Sequence, residues 1–512
     1  MDMIRISRVV SFAIAALAAG PDFSGDAVRL SRLILVAEAQ STSSCIDPET
    51  MGAVPNDGFS DRVAIQQAID TAAALPDGGT VCLGPGRWTV ERAPIGSFDR
   101  FAALSVGTKT GMAGHHVTIR GYGPETVLEL VGDQGAASVN VLDVLPGAEH
   151  TLISDLAIDT SAATNTDEQT HAIATSHVCA GATCLPIRDL QITRVTFLHP
   201  RNTVSRKGDC IRLLGNTDAT RLYDVRIEGN HFEACARSAI MIQRGVNRLT
   251  IVGNTLAALK TPIDGEATGG PTDVDTNVTI SGNVFRDRVV SQGDADISLT
   301  SMRAVSITGN AMDGGVTVYR STDVTITGNT MNSVATAVGV GTIDAANQCD
   351  GLTISGNVIR RRGAAGALVK LVTHSGVSCS RWSISGNTLF QDTASWGIYA
   401  ESASFAMVSG NQISGSVVNL GAAIGARAVL STTPTVGYVV QNNRIDGGFA
   451  SAIRVSSGPG TYGAGIAISG NTAVGPGTGV FLENSAGFTS RVLVSGNDCG
   501  PDSIGVLTWR GD

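Results

Sequence analysis

Asp264 and Glu266 stand two residues apart in Pro262-Ile263-Asp264-Gly265-Glu266, with one residue between them. In an extended strand alternate side chains share a face, so these carboxylates lie about 7 Å apart along the strand rise. Carboxyl groups separated by about 6.5–9.5 Å leave room for a water between acid and base, the arrangement of inverting glycoside hydrolysis. Asp296 joins them if the next extended segment stacks on this one, roughly 8 Å from Asp264 by the same geometry. The same three carboxylates could hold Ca²⁺, which prefers oxygen ligands. In lyase chemistry such an ion would neutralise a uronate while a basic residue takes the α-proton. Arg212 is the nearest candidate for that base or for holding a substrate carboxylate. Asp209 adds a further candidate acid at a strand edge, equally readable as a turn stabiliser. Lys207, Arg237, Gln243 and Arg244 could line the same cleft, and His171 or His177, beside long loops, could supply a base or a substrate contact.

These assignments require a scaffold that stacks strands in register, and the sequence carries one. From Tyr223 onward one phrase returns: VRIEGN to Asn230, LTIVGN to Asn254, VTISGN to Asn283, VSITGN to Asn310 and VTITGN to Asn329. It continues through Asn357, Asn387, Asn411, Asn443, Asn471 and Asn497, at a mean step of about 27 residues, the length of one β-coil. The alternating V-x-I points apolar side chains inward at a period of two. Gly-Asn then bends the chain, because both residue types tolerate left-handed backbone angles. Asparagines at equivalent bends can hydrogen-bond up the stack as a ladder. A second short strand precedes each phrase, as in AIMI before Asn254, DISL before Asn310 and GIYA before Asn411. Weaker coils end near Tyr122, Leu156 and Val195, with longer loops. The expected architecture is all-β: a single right-handed parallel β-helix of about fourteen coils, over residues 91–500, with a C-terminal cap or tail at 501–512.

Open ends of such a stack need covering. Residues 40–90 form the expected N-terminal cap. Ile65, Ala68, Ile69 and Ala72 follow helical spacing within 61–75, Ser60 or Asp61 can cap the helix, and Pro76 with Gly78 stops it. Aligning the first strand of each coil on Ile173, Ile211, Ile240, Ile263, Ile297 and Val316 gives an outward column Ala174, Arg212, Met241, Asp264, Ser298, Thr317. A second column, two residues on, contains Gln243, Glu266, Thr300 and Tyr319, and a third, one residue back, contains Cys210 and Asp296.

The segment GAVPNDGFSDRVAIQQAIDTAAALPDGGTVCLGPGRWTV (52–90), followed by the repeat, resembles the opening of the pectate-lyase-like superfamily, the right-handed β-helix proteins that include pectate lyases and family 28 glycoside hydrolases. The resemblance spans roughly residues 50–500 and implies that the first strand of each coil, with its loops, forms the cleft. It implies polysaccharide lyase or hydrolase chemistry on an acidic or plant-type glycan, with a non-catalytic glycan-binding or adhesive β-helix, or a tailspike-like trimer, as the alternative. The activity motifs depart from the family: Gly208-Asp209-Cys210-Ile211 keeps one aspartate where polygalacturonases have two, and no Gly-His-Gly or Arg-Ile-Lys follows.

Composition narrows partners and compartment. A net charge of −9 and 4% aromatic residues argue against nucleic acid as the ligand. Arg5 and Arg8 before the apolar run Val9–Ala19, with Ala-x-Ala sites at 16–18 and 37–39, read as an export leader over 1–39, and no later segment could form a transmembrane helix. A secreted, periplasmic or cell-surface location follows, where nine cysteines suit an oxidising environment. Cys179 with Cys184, and Cys349 with Cys379, are the expected disulfides, and Cys45 with Cys82 is a weaker one. The terminal Arg510-Gly511-Asp512 and the sequon at Asn277 are too short to carry weight.

Overall fold

The computed structural model describes residues 45–510 outside the stretches 95–99, 108–115, 134–137, 165–169, 176–184, 199–207, 216–220, 259–260, 267–274, 287–294, 336–342, 347–349, 364–365, 373–379, 393–394, 403, 429–434, 457–461, 476, 485–491 and 501–503. Its strands wind into a right-handed parallel β-helix, with each coil contributing strands to three faces. In chain order, the first face is built from segments such as Ile211–Leu213, Ile240–Ile242 and Ile263–Gly265. The second carries the repeated phrase, as in Leu222–Glu228, Val246–Val252 and Asp275–Ser281. The third follows the asparagine bend, as in His231–Cys235 and Thr255–Ala258. Strands of the second face form a 15-stranded parallel sheet whose order follows the sequence, each neighbour reached by a crossover through the other two faces.

The apolar residues of the phrase do the packing. Val225, Ile227, Leu249, Ile251, Val278 and Ile280 are buried and stack coil on coil, Leu249 pairing with Val278 and Ile251 with Ile280. One continuous core runs from Ala53 to Leu482. Phe197 and Phe232 stack within it, centroids 4.6 Å apart and planes 7° from parallel.

The Gly-Asn bend divides its labour more sharply than its two residue types suggest. Glycine takes the left-handed angle, with φ of 62° at Gly229, 65° at Gly253 and 64° at Gly309, and Asn442 with φ 55° takes over where glycine is absent. The following asparagine supplies the ladder. Each side-chain amide donates to the next Asn Oδ1 and to a backbone carbonyl of the coil below. For Asn254 these partners are Asn283 at 2.9 Å and the Ile227 carbonyl at 3.0 Å. The rungs run unbroken from Asn230 to Asn497.

Helix α1 (Arg62–Ala74) covers the N-terminal end, burying Ile65, Ala68, Ile69 and Ala72 as the spacing predicts. Asp61 is its N-cap residue, yet its carboxylate does not cap the helix. It accepts instead from the amides of Val54 at 2.8 Å and Thr89 at 2.9 Å, tying the cap to the first coil. Gly78, with φ +75°, ends the connection where a Cβ would sit 1.8 Å from the His116 carbonyl oxygen.

Cys45 and Cys82 form a disulfide that fastens the start of the described chain to the first strand of the second face. A second bond, Cys210–Cys235, joins residues with Cα atoms 5.8 Å apart and was not expected, because the two cysteines belong to different faces. Cys179, Cys184, Cys349 and Cys379 lie outside the described residues, as does the leader. Cys499 is in neither disulfide. Among the described residues no helix is long and apolar enough to cross a membrane.

Neighbouring coils are also cross-linked on the surface. Arg194 grips Asp155 through two hydrogen bonds of 2.6 and 2.8 Å. The guanidinium holds the Asp155 carboxyl below the usual aspartate range, against a smaller opposing effect of burial. A depressed carboxyl stabilises the fold above its unfolded pKa and loses that contribution as pH falls through the folded value. Arg194→Gln should therefore return the Asp155 titration towards the ordinary aspartate value, read by carboxyl NMR. The stability loss near neutrality should be below about 1 kcal/mol, since the arginine is largely exposed and the aspartate only partly covered.

Candidate functional site

The first face positions the candidate residues. Its pairing agrees with alignment on the inward isoleucines: Arg212 pairs with Met241, Met241 with Asp264, Asp264 with Ser298, and Ser298 with Thr317. Ile263 and Gly265 are buried while Asp264 and Glu266 are half-buried, so the alternation holds and both carboxylates reach the outer side. Glu266 follows its strand directly, and its amide donates to the Ile242 carbonyl.

Three half-buried side chains on successive coils form a relay. Arg212 Nε donates to Gln243 Oε1 at 2.8 Å, and Gln243 Nε2 reaches Glu266 Oε2 at 3.5 Å. Gln243 thus bridges the arginine and the carboxylate. Arg244 is half-buried on the strand end beside Gln243, and Lys207 and His177 lie outside the described residues.

Asp296 is not in this groove. The register between Ala295–Thr300 and Gly315–Tyr319 slips at this point, Ala295 pairing with Gly315 and Ile297 with Val316. Asp296 is the extra residue of that bulge and has no pairing partner on the next strand. It is 1% exposed, and its Oδ2 accepts from the Gly314 amide at 2.6 Å. The expected three-carboxylate Ca²⁺ cage therefore does not assemble, and among the described residues no three His, Cys, Asp or Glu are grouped to share a metal.

Asp209, His171 and Arg237 also leave the surface. Asp209 and His171 are 0% exposed. Arg237 clamps Asp209 through Nε at 2.9 Å and Nη2 at 2.6 Å. The Asp209 amide donates to His171 Nδ1 at 3.3 Å, which requires an unprotonated Nδ1 in that contact. Burial pushes the Asp209 carboxyl up, opposed by Arg237 and more weakly by Arg212, while Glu266 adds to the rise. Through those couplings the buried cluster is linked electrostatically to the Arg212–Gln243–Glu266 relay. A charged pair needs company when buried, so the expected cleft residues Asp209 and Arg237 satisfy each other in the wall. His171 packs against Asp209 in the same buried cluster.

Further along the same face lies a cluster that the sequence alignment, ending at Thr317 and Tyr319, did not reach. The pairing continues from Thr317 through Asp344 to Lys370, Tyr399, Gly425 and Arg454. A groove of about 400 Å³ opens there, lined by Trp396, Tyr399, Arg427, Arg454, Ser456 and Glu483 among others. Extending the outward column by the coil period would have found Tyr399 and Arg454. Trp396 precedes its strand and had no columnar signal.

A family model described as "Right handed beta helix region" matches residues 200–413 and 314–499. No curated protein matches. Among solved structures, a mannuronic acid-specific family 6 polysaccharide lyase from human gut microbiota is 13% identical, covering 76% of this chain and 87% of its own, at a TM-score of 0.45. The catalytic unit of a GH87 α-1,3-glucanase from Streptomyces thermodiastaticus is 14% identical over 93% of this chain and 71% of its own, at 0.38. PfbA, a surface adhesin of Streptococcus pneumoniae, is 14% identical over 91% of this chain and 93% of its own, at 0.39.

Proposed function

The chain belongs to the right-handed β-helix family, and from that premise we propose that it is an exported polysaccharide-processing protein that binds its glycan along the first face. The observation that carries this reading is the pair of outward carboxylates, Asp264 and Glu266, beside the Arg212–Gln243 relay on an open strand face. Alternate positions on a strand set the two carboxylates about 7 Å apart, room for a water or a glycosidic oxygen between them. One donates a proton to the leaving oxygen and the other draws a proton from water. Arg212 supplies a fixed positive charge for a sugar carboxylate, and Gln243 holds it in place. The buried Asp209–Arg237 pair keeps that floor rigid. Two disulfides support an oxidising compartment outside the cytosol.

Pectins, alginate and neutral plant glycans incubated with the protein should yield new reducing ends on at least one substrate, or unsaturated ends if β-elimination operates. Glu266→Gln and Asp264→Asn should each lower that rate by about a hundredfold or more. Turnover unchanged in both variants would sink the assignment of the pair. A glycan-binding protein without turnover is the second reading. It is favoured by the withdrawal of Asp296 and Asp209 from the surface, and binding without product across the panel would establish it.

A further inference from the structure

We propose that the groove around Trp396 is a second saccharide subsite, one that takes a neutral hexose unit of a longer glycan chain lying along the first face. The inference shares with the preceding section the premise that this face binds glycan, and it names what the far end of the face selects.

Trp396 is held in an unusual place. Gly425 occupies the outward column between Tyr399 and Arg454, and a Cβ there would lie 2.1 Å from the indole Cζ3 and 2.3 Å from Cε3. The indole therefore rests directly on the strand backbone, filling the space a side chain would otherwise take. Tyr399 lies 5.2 Å from it, tilted by 54°. A half-exposed aromatic pair on a groove floor offers an apolar face to the C–H side of a pyranose, with no base or peptide geometry imposed.

The polar groups around that platform come in matched pairs. Arg454 Nη2 binds Glu483 Oε2 at 2.6 Å, and the Arg454 guanidinium packs over Phe481. Tyr399 donates to Glu401 at 3.2 Å and accepts from Arg427, and its burial pushes the phenol up, keeping the hydroxyl protonated. Two arginines thus face two glutamates. Paired donors and acceptors suit adjacent sugar hydroxyls, each able to give and take a hydrogen bond. The balanced charge gives no net pull on a carboxylate, in contrast to the Arg212 end of the face. Five coil steps separate Asp264 from Tyr399 in the pairing, about 24 Å at the strand spacing. Only an extended chain of several sugar rings covers that span.

The full-length protein would be titrated by calorimetry with hexamers of β-1,4-linked glucose, mannose and galactose, and with hexagalacturonate. Tryptophan emission would be followed in parallel. Trp88 and Trp382 are buried, so they are silent to a surface ligand, and a Trp509→Phe background leaves Trp396 as the reporter. At least one neutral hexamer should bind and change the emission, and Trp396→Ala should weaken it about tenfold. Gly425→Val, which displaces the indole but keeps it in the chain, should weaken it similarly, and circular dichroism would verify the fold of both. Arg248→Gln, on the second face, should leave this affinity unchanged. Loss of turnover in Glu266→Gln with hexamer binding retained separates the two sites. Hexamer binding without any turnover in the unaltered protein refutes only the processing reading. Absence of neutral hexamer binding, binding of hexagalacturonate alone, or affinity indifferent to both Trp396 and Gly425 overturns the subsite.

Discussion

Asp209→Ala is expected to destabilise the protein by about 3–5 kcal/mol, measured by denaturant unfolding. The substitution takes the clamping carboxylate away from the Arg237 guanidinium, whose side chain is 9% exposed, inside the wall. It also removes the carboxylate that lies 3.4 Å from His171 Nδ1. The net worth of the pair is smaller than the cost of breaking it, because both partners were stripped of water to form it. Asp209→Ala combined with Arg237→Leu should therefore recover a large part of the loss. A double variant no more stable than Asp209→Ala alone would show that the charge is not what matters. Groove chemistry should suffer as well, because Arg212 and Glu266 both act electrostatically on Asp209.

Asn310→Ala should cost about 3–4 kcal/mol. Asn310 Oδ1 accepts from the amide and the side chain of Asn283, both at 3.0 Å, and its Nδ2 donates to the Ile280 carbonyl and to Asn329 Oδ1. Alanine leaves several of these buried groups without partners, each carrying a desolvation penalty of about 1–3 kcal/mol, partly relieved by relaxation or an admitted water. Asn497, half-buried at the end of the ladder, accepts from Asn471 and donates to Ile468. Its alanine variant should lose much less, because water reaches the vacated groups. Equal losses at both positions would mean that the asparagines matter for the bend and not for the ladder.

The scaffold was legible in the sequence because its physics is local and repeated. V-x-I alternation, the Gly-Asn bend and the spacing of Ile65, Ala68, Ile69 and Ala72 each restate one constraint that packing enforces. The site was less legible because it depends on departures from that repeat. A one-residue bulge at Asp296 takes it out of register, where it is buried, and no period announces a bulge. Asp209, His171 and Arg237 are polar types that usually sit outside, and their burial follows from mutual satisfaction that only three-dimensional proximity reveals. The Cys210–Cys235 bond joins two faces, so alignment within one face could not pair them. Trp396 sits just outside a strand, held by a glycine one coil away.

The strict register of the first face makes distance along the molecule countable. Asp264 and Tyr399 are separated by a whole number of coils, so their spacing can change only in units of about 4.8 Å. Loops can lengthen or shorten without altering that spacing, since they leave the stack between strands, as the steps of 19 between Asn310 and Asn329 and 32 between Asn411 and Asn443 illustrate. The molecule is thus a ruler graduated in coils. Gain or loss of one complete coil would shift the Trp396 groove by a single graduation while leaving each end chemically intact, changing the length of polymer that touches both ends and not the sugars recognised at either.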